Sequence, residues 1–353
     1  MRTIFTPDKF IILKFEDEFV DIMVEVNPMY ASEVRMERGK KVLYVRLIRA
    51  LYVCMESAVL WYNLFSEKLQ KLGFEINPYE KCVANKIING KQCTIAWYAD
   101  DNKVSHEDPQ VVTEIIKEIE SYWDGLTVYR GKELTFLGMD IEFNEDRSVT
   151  ISTPEYIDEA IEHFGEDVSK SVTSPATKNL FEVDEASAPL DKKKQDIFHS
   201  VVARLLWIMK RSRPDIETAV SFLCTRVSCS TVEDWNKLKR VLQFVSQTKS
   251  DKRTIKAENL SEMLTWIDAS YAVHPNMRGH TGGAISFGKG VVYARAGKQK
   301  LNVKSSTEAE IVGMSEYLPY NIFIKNFMSA QGYKLKKNEA KQDNMSAIRM
   351  EKN

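Results

Sequence analysis

Hydrophobic residues recur at two different spacings in the first 150 residues, and these spacings predict a mixture of helices and strands. Apolar residues at helical spacing predict a helix over 57–72. Apolar runs on both sides of Asn89-Gly90 predict a hairpin, because this dipeptide favours a tight type I′ turn. Asp108-Pro109 then supplies a helix cap and a first-turn proline. Further β-like runs occupy residues 10–15, 42–47, 134–141 and 149–151.

The middle of the chain has helical spacing. Thr153-Pro154 begins a helix that Gly165 ends, two helices flank residues 213–215, and a capping box at Thr231 begins another. Between them, residues 171–196 are polar and contain two prolines and three consecutive lysines, which predicts an exposed linker.

The pattern changes again after residue 262. A strand over 264–271 precedes a glycine-rich hairpin, and Ser305-Ser306-Thr307-Glu308 has the form of a capping box for a long helix. A short segment then reaches Asp343, and a last helix is expected before Asn353. We therefore expect the chain to end in an α/β domain that lacks its last elements.

Composition restricts the class of protein. The 353 residues suffice for about two domains. Hydrophobic residues make up 44% and charged residues 28%, which excludes a mainly disordered chain. The net charge of −1 excludes a globally basic nucleic-acid binder but allows local basic patches.

The sequence also indicates the compartment. No apolar run approaches the ~20 residues of a membrane span, and the N-terminus has no signal-peptide core. The five cysteines form no CxxC pair, which argues against a disulfide framework or a zinc site. We expect an intracellular protein of the cytoplasm, the nucleus or both, with no membrane partner.

Asp100 and Asp101 follow Tyr98-Ala99 at the turn of an apolar hairpin. Two adjacent carboxylates repel each other unless a cation neutralises them, and paired Mg²⁺ ions do so in phosphoryl transfer. The alternative is two solvated aspartates in a loop.

Asp268, Glu308 and Asp343 form a second candidate set. They lie in a strand, at a helix start and at the end of a short segment, from which acids can converge on a metal cluster. Only Asp268 resists a simpler explanation, because charge within a strand is costly. Glu308 is also suited to N-terminal capping, and Asp343 to capping the next helix.

Five basic residues and no acidic ones lie between Ser286 and Ser305, and such a patch suits a phosphate backbone. A solvated face is the alternative interpretation. Since no base-reading motif accompanies them, any binding should be insensitive to sequence. The candidate nucleic-acid contacts are Lys289, Arg295, Lys298, Lys300 and Lys304.

Taken together, these segments resemble the polyprotein of copia-type LTR retrotransposons, over its reverse transcriptase and RNase H portions. The match follows the family's order along nearly the whole chain. The matching segments are residues 50–62 (family ALYGLKQ…AWY), 98–101 (YVDD), 136–139 (FLG), 213–216 (RPDI), 235–242 (W…KRVL), 268–270 (DAS), 298–300 (KKQ), 305–310 (SSTEAE) and 342–348 (DNxSAI).

The resemblance implies an α+β and α/β multidomain protein. Residues 1–150 would form the fingers and the remainder of a right-hand polymerase palm, 151–260 a helical thumb or connection, and 261–353 an RNase H-like α/β domain. Asp100 and Asp101 would be palm metal ligands, and Asp268, Glu308 and Asp343 would be RNase H ligands. The cofactor would be Mg²⁺, or Mn²⁺ in its place, and the partners an RNA/DNA template–primer and dNTPs.

Departures from the family pattern predict impaired activity. The palm's first aspartate motif is expected before Met1, and the late RNase H histidine and aspartate beyond Asn353. Val53 and Glu56 replace the family's glycine and lysine, the second with reversal of charge. The expectation is an RNA-directed DNA polymerase and ribonuclease H by ancestry that is an inactive fragment as it stands. The alternatives are a non-catalytic binder of RNA/DNA hybrids and a non-functional transposon relic.

Overall fold

The computed structural model describes residues 11–48, 55–123 and 125–352. Within it, the chain divides into two compact units of mixed α/β structure. The first comprises Met1–Asn77 and Lys81–Lys117, and the second comprises Pro78–Glu80 and Glu118–Asn353. The division into three segments at residues 150 and 260 stays a prediction. No helix of the described residues is long and apolar enough to cross a bilayer.

The first unit contains two antiparallel sheets, of strand order β1-β3-β2 and β4-β5-β6-β7. The predicted helix and hairpin are both confirmed, and Asn89 (φ 52°) and Gly90 (φ 75°) have the left-handed backbone that a type I′ turn needs. The elements are β1 Ile11–Glu16, α1 Glu18–Val26, a 3₁₀ helix Pro28–Glu33, β2 Arg35–Glu37, β3 Lys40–Leu47, α2 Met55–Lys71, β4 Glu75–Ile76, β5 Val83–Ile88, β6 Lys91–Tyr98, β7 Asp101–Ser105 and α3 Pro109–Glu120.

The remaining elements form two further sheets and a helical layer, with the end of α3 leading into them. They are β8 Glu133–Phe136, β9 Met139–Phe143, β10 Val149–Ser152, α4 Pro154–Phe164, α5 Lys192–Arg211, a 3₁₀ helix Pro214–Ile216, α6 Glu217–Cys224, α7 Val232–Gln247, β11 Arg253–Ala257, β12 Glu262–Ser270, β13 His280–Ser286, β14 Gly288–Lys289, β15 Tyr293–Lys298, α8 Ser306–Ala330, β16 Lys337–Lys341 and α9 Met345–Lys352.

The β-like run over 134–141 forms a hairpin of β8 and β9. Leu137 and Gly138 make its turn with left-handed backbone (φ 51° and 71°). A Cβ on Gly138 would lie 2.7 Å from the Tyr156 ring, so only glycine fits this turn. The FLG segment therefore marks a turn packed on α4.

The linker predicted over 171–196 is exposed along most of its length, but it is packed at three apolar residues and its last part is helical. Its later residues, from Lys192, already belong to α5, which Asp191 caps by accepting a hydrogen bond from the Lys194 N–H (2.9 Å). Val172, Leu180 and Leu190 are buried, the latter two in the core that α4, α5, α6 and α7 share. The polar composition of this segment does not reveal the packing, because a few apolar residues suffice to fix an irregular segment on a helical layer.

The last sheet has the strand order β15-β13-β12-β16, with β16 parallel to β12 and the other pairs antiparallel. α8 covers one face at close range. A Cβ on Gly283 would lie 2.3 Å from the Tyr317 ring, and one on Gly313 3.2 Å from the Ala269 Cβ. Because side chains alternate along a strand, Asp268 points to the opposite face from Ala269.

The helical layer contacts this sheet at the edge strand β15. A carboxylate oxygen of Glu217 accepts a hydrogen bond from the Ala296 N–H (3.1 Å), and the same oxygen pairs with the Lys210 ammonium. The Lys210 ammonium also lies 3.4 Å from the Ala294 carbonyl. These side chains satisfy backbone groups that an edge strand otherwise leaves open.

Candidate metal centre

The pairing of two parallel strands brings two acidic residues to the same level of the sheet. Trp266 of β12 is in register with Lys341 of β16. Asp268 and Asp343 each follow that pair by two residues, so they emerge side by side. Neighbouring strands are about 4.8 Å apart, which is close enough for both carboxylates to share a cation.

Glu310 completes the group. One carboxylate oxygen from each of Asp268, Glu310 and Asp343 lies within 4.8 Å of the other two. Glu310 belongs to the first turns of α8, whose N-terminus begins beside these strand ends. Asp268 and Asp343 are exposed, whereas Glu310 is only 5% exposed.

Glu310 therefore takes the place that the sequence assigned to Glu308. Residues two apart on a helix point about 200° apart, so only one of the two glutamates can face the aspartates. Glu308 is the third residue of the helix, and its carboxylate turns back to accept a hydrogen bond from the Lys304 N–H (2.8 Å). The Ser305 hydroxyl accepts from the Glu308 N–H (3.2 Å), which confirms the N-cap but only half of the capping box.

The environment of Glu310 leaves negative charge uncompensated. Burial raises the pKa of the Glu310 carboxyl, and the charges of Asp268 and Asp343 raise it further. Hydrogen bonds from Gln342 and from the Ala269 backbone act in the opposite direction. A cation shared by three carboxylates would relieve this repulsion, and an all-oxygen donor set suits Mg²⁺ or Mn²⁺. The residues present thus fit a divalent metal.

A groove of about 700 Å³ opens beside Asp268 and Asp343. It runs over the sheet face opposite α8, from Asp268 and Asp343 past Gly282 to Ala296 and Glu217. Gly282 has no atom within 4 Å of its would-be Cβ, so the floor of the groove is open at this point. Trp266, 42% exposed, is also part of the lining.

Asp100 and Asp101 lie where the sequence predicted, at the turn between β6 and β7, and both are exposed. The turn is tied down from two sides: the Trp61 indole N–H donates to the Ala99 carbonyl, and the Asn102 side-chain amide donates to the Asp100 carbonyl (2.9 Å). Among the described residues neither aspartate joins a third potential ligand. Residues 50–54, including Val53, lie outside the described part of the chain.

The five basic residues do not form one patch. The Arg295 guanidinium lies 4.8 Å from the centre of the Tyr320 ring of α8, whereas three positions on, Lys298 points to the other face and is partly buried. Lys289, Lys300 and Lys304 are exposed, on β14 and in the loop before α8. Burial and the charges of Arg278 and Arg226, which the sequence did not single out, lower the pKa of Lys298.

Comparisons with known proteins agree with the sequence segments. Residues 17–178 match the family described as reverse transcriptase (RNA-dependent DNA polymerase). The chain is 24% identical over 328 residues to the retrovirus-related Pol polyprotein from transposon TNT 1-94 of Nicotiana tabacum, covering 89% of this chain and 24% of that polyprotein. It is 25% identical over 315 residues to the putative transposon Ty5-1 protein of Saccharomyces cerevisiae, covering 88% of this chain and 95% of that protein.

A search of solved structures finds the protease–reverse transcriptase of Prototype Foamy Virus, at 12% identity and a TM-score of 0.21. The match covers 92% of this chain and 37% of that chain. A TM-score this low carries no argument about the fold. The relationship therefore rests on sequence, and the chain spans about a quarter of the TNT 1-94 polyprotein.

Proposed function

We propose that the chain, which is similar to transposon Pol polyproteins and matches the reverse transcriptase family over residues 17–178, acts on RNA/DNA hybrids by metal-dependent phosphoryl transfer. The site with the best geometric support is a ribonuclease H-like centre at Asp268, Glu310 and Asp343. The observation that carries this proposal is the convergence of the three carboxylates within 4.8 Å.

The local fold supports the same assignment. An antiparallel three-stranded meander, a long helix and a fourth strand parallel to the first give the order β15-β13-β12-β16 that an RNase H-like domain requires. The order of the sequence segments supports a copia-type element in particular. The strand order concerns the part of the chain after residue 260, beyond the matched reverse transcriptase domain, whereas the sequence segments run along nearly the whole chain.

Different residues of the chain would bind the metal and the hybrid. Bound Mg²⁺ would lower the pKa of a water and stabilise the leaving oxygen of an in-line displacement. Asp268 and Asp343 would bind the metal from the strand ends, and Glu310 would hold it from the helix. The groove over Gly282 would admit one strand of the hybrid, and the exposed Trp266 would offer a face for stacking.

The test is cleavage of a hybrid whose RNA strand carries an end label, with Mg²⁺ or Mn²⁺. The proposal predicts metal-dependent cleavage of the RNA strand, no cleavage of an all-RNA duplex, and a loss of at least ~100-fold in D268N and D343N, since the metal would be poorly held. Cleavage of the RNA strand by D268N and by D343N at the wild-type rate would contradict the proposal.

The match of residues 98–101 to the family's YVDD motif also makes Asp100 and Asp101 candidates for the polymerase site. We propose them as palm metal ligands that act with dNTPs, and we expect no processive synthesis from this polypeptide because Glu56 reverses the charge of the family's lysine. Primer extension on an RNA template tests both statements. Mg²⁺-dependent extension would contradict the expected inactivity, and its loss in D100N would support the ligand role.

A second candidate function, binding of hybrids without chemistry, is favoured by Lys298. Among the described residues no acidic group lies within ion-pair distance of its ammonium, which is close to Arg278 and Arg226. Such a cluster attracts phosphate. Affinity that falls steeply with salt, without cleavage in Mg²⁺ or Mn²⁺, would identify this function.

A further inference from the structure

Gln342 lies between β16 and α9, directly before Asp343, and its side-chain amide contacts two of the three acidic residues. Its Nε2 donates to a carboxylate oxygen of Glu310 (3.1 Å). Its Oε1 accepts from the backbone N–H groups of Asp343 (2.9 Å) and Asn344 (3.1 Å). One amide thus joins the backbone that carries Asp343 to the carboxylate of Glu310.

The position of β16 itself is set further along the strand. Asn338 and Asn321 of α8 exchange two hydrogen bonds (2.9 and 2.7 Å), and Asn321 also donates to the Thr265 hydroxyl (2.8 Å). Asn321 is buried and Asn338 is exposed, and together these amides fix the level of β16 against β12. They do not reach Glu310, so the orientation of this carboxylate depends on other donors.

Electrostatic repulsion from the carboxylates of Asp268 and Asp343 favours orientations of the Glu310 carboxylate that point away from them. Within the described part of the chain, two donors oppose that repulsion, the Ala269 backbone N–H and Gln342. The Ala269 N–H belongs to the sheet and cannot be altered by a side chain. Of these two donors, Gln342 is the one that a substitution can remove.

We propose that Gln342 is a positioning residue for the metal centre, which orients Glu310 toward Asp268 and Asp343 and fixes its carboxylate to the turn that carries Asp343. This inference rests on the proposed function of the three carboxylates. It extends that function to a neutral residue outside the ligand set. Hydrogen bonds to ligand carboxylates typically change metal affinity by about 10–100-fold.

The probe is Tb³⁺, which binds to oxygen ligands and whose luminescence is excited by energy transfer from a nearby indole. Trp266 can supply this indole, because it lies two residues before Asp268 on the same face of β12. Titration of the full chain gives the affinity, and luminescence lifetimes in H₂O and D₂O count bound waters. We expect Q342L to bind Tb³⁺ about 10–100-fold more weakly and with an additional bound water. Q110L is the matched control, because Gln110 also donates to a glutamate, Glu114 (3.2 Å), on the surface of the first unit.

A double-mutant cycle separates positioning from a general structural effect. If Gln342 acts through Glu310, Q342L should have no further effect in an E310A background. Q342M, which keeps the side-chain length, replaces Q342L if the latter fails to fold by circular dichroism.

The possible results distinguish the role of Gln342 from the existence of the metal centre. Unchanged affinity and hydration in Q342L, with binding that depends on Asp268, would overturn the role of Gln342 and leave the metal centre standing. An equal loss in the E310A background would also overturn it. A wild-type chain that binds no Tb³⁺ would overturn the proposed metal centre and this inference with it.

Discussion

Asp268 of β12 and Asp343, two residues beyond the end of the parallel neighbour β16, lie at the same level of the sheet, although 75 residues separate them in the chain. The register of Trp266 with Lys341 places each aspartate two residues further on. A one-residue slip of β16 would move Asp343 to the other side of the strand. The metal centre therefore depends on strand register, which Asn321 and Asn338 hold through reciprocal hydrogen bonds.

The pair Glu308 and Glu310 provides a direct test of the ligand assignment. E310Q should abolish the rise in melting temperature that Mn²⁺ produces, because a ligand that binds only the folded state stabilises it in proportion to its affinity. E308Q should retain that rise. Its own cost should be about 0.3–1 kcal/mol, from a weakened charge at the start of α8. Thermal unfolding with and without Mn²⁺ measures both effects, and a Mn²⁺ response lost in E308Q but kept in E310Q would reverse the assignment.

Adjacent glycines of β13 should respond oppositely to alanine. G283A should destabilise the second unit by about 1–3 kcal/mol, because the new Cβ would lie 2.3 Å from the Tyr317 ring and force α8 to move. G282A should be neutral or slightly stabilising, because no atom lies within 4 Å of its Cβ position. Urea unfolding measures the difference, and equal free energies of unfolding for both variants would contradict the packing of α8 on this strand.

Two buried histidines should make stability depend on pH. His274 and His280 are hydrogen-bonded ring to ring (3.0 Å), beside Ser221 and the cation of Lys298. Burial lowers the pKa of both to about 4. The unfolded chain takes up protons below pH ~6.5 while the folded chain does not, so stability is full above that pH and is lost toward pH 4.

The loss should amount to at most about 1.4 kcal/mol per pH unit for each histidine. The free energy of unfolding measured from pH 7 to pH 4.5 should therefore fall less steeply in H274Q/H280Q than in the wild type. H199Q, at an exposed position of α5, is the control and should keep the wild-type slope. Identical slopes for the double variant and the wild type would contradict the buried, uncharged state of the pair.

Local signals in the sequence predicted the helices, strands and turns well, but they predicted the packing of these elements against one another less completely. Asn89-Gly90 and Thr231 specify a turn and a cap through their own chemistry, and both are confirmed, the latter as a full capping box with Asp234. The linker prediction failed at Leu180 and Leu190, because their burial comes from helices distant in sequence.

The candidate site shows the same limit. Asp268 is predictable because charge within a strand needs an explanation, whereas Asp343 is equally suited to capping the next helix. The sequence predicts Glu308 from its place at the start of a helix, and it does not reveal which face of α8 meets the sheet. The signal that could have corrected this was the small side chain of Gly313. It lies three residues after Glu310, on the side of α8 that approaches Ala269.

The most direct test of the central claim is a crystal structure of the full chain with Mn²⁺, using the anomalous signal of manganese to locate the ion. We expect an anomalous peak coordinated by carboxylate oxygens of Asp268, Glu310 and Asp343, with the Glu308 side chain still turned toward Lys304. A crystal with no peak among these three carboxylates at saturating Mn²⁺, or with a peak coordinated by Glu308 instead of Glu310, would contradict it.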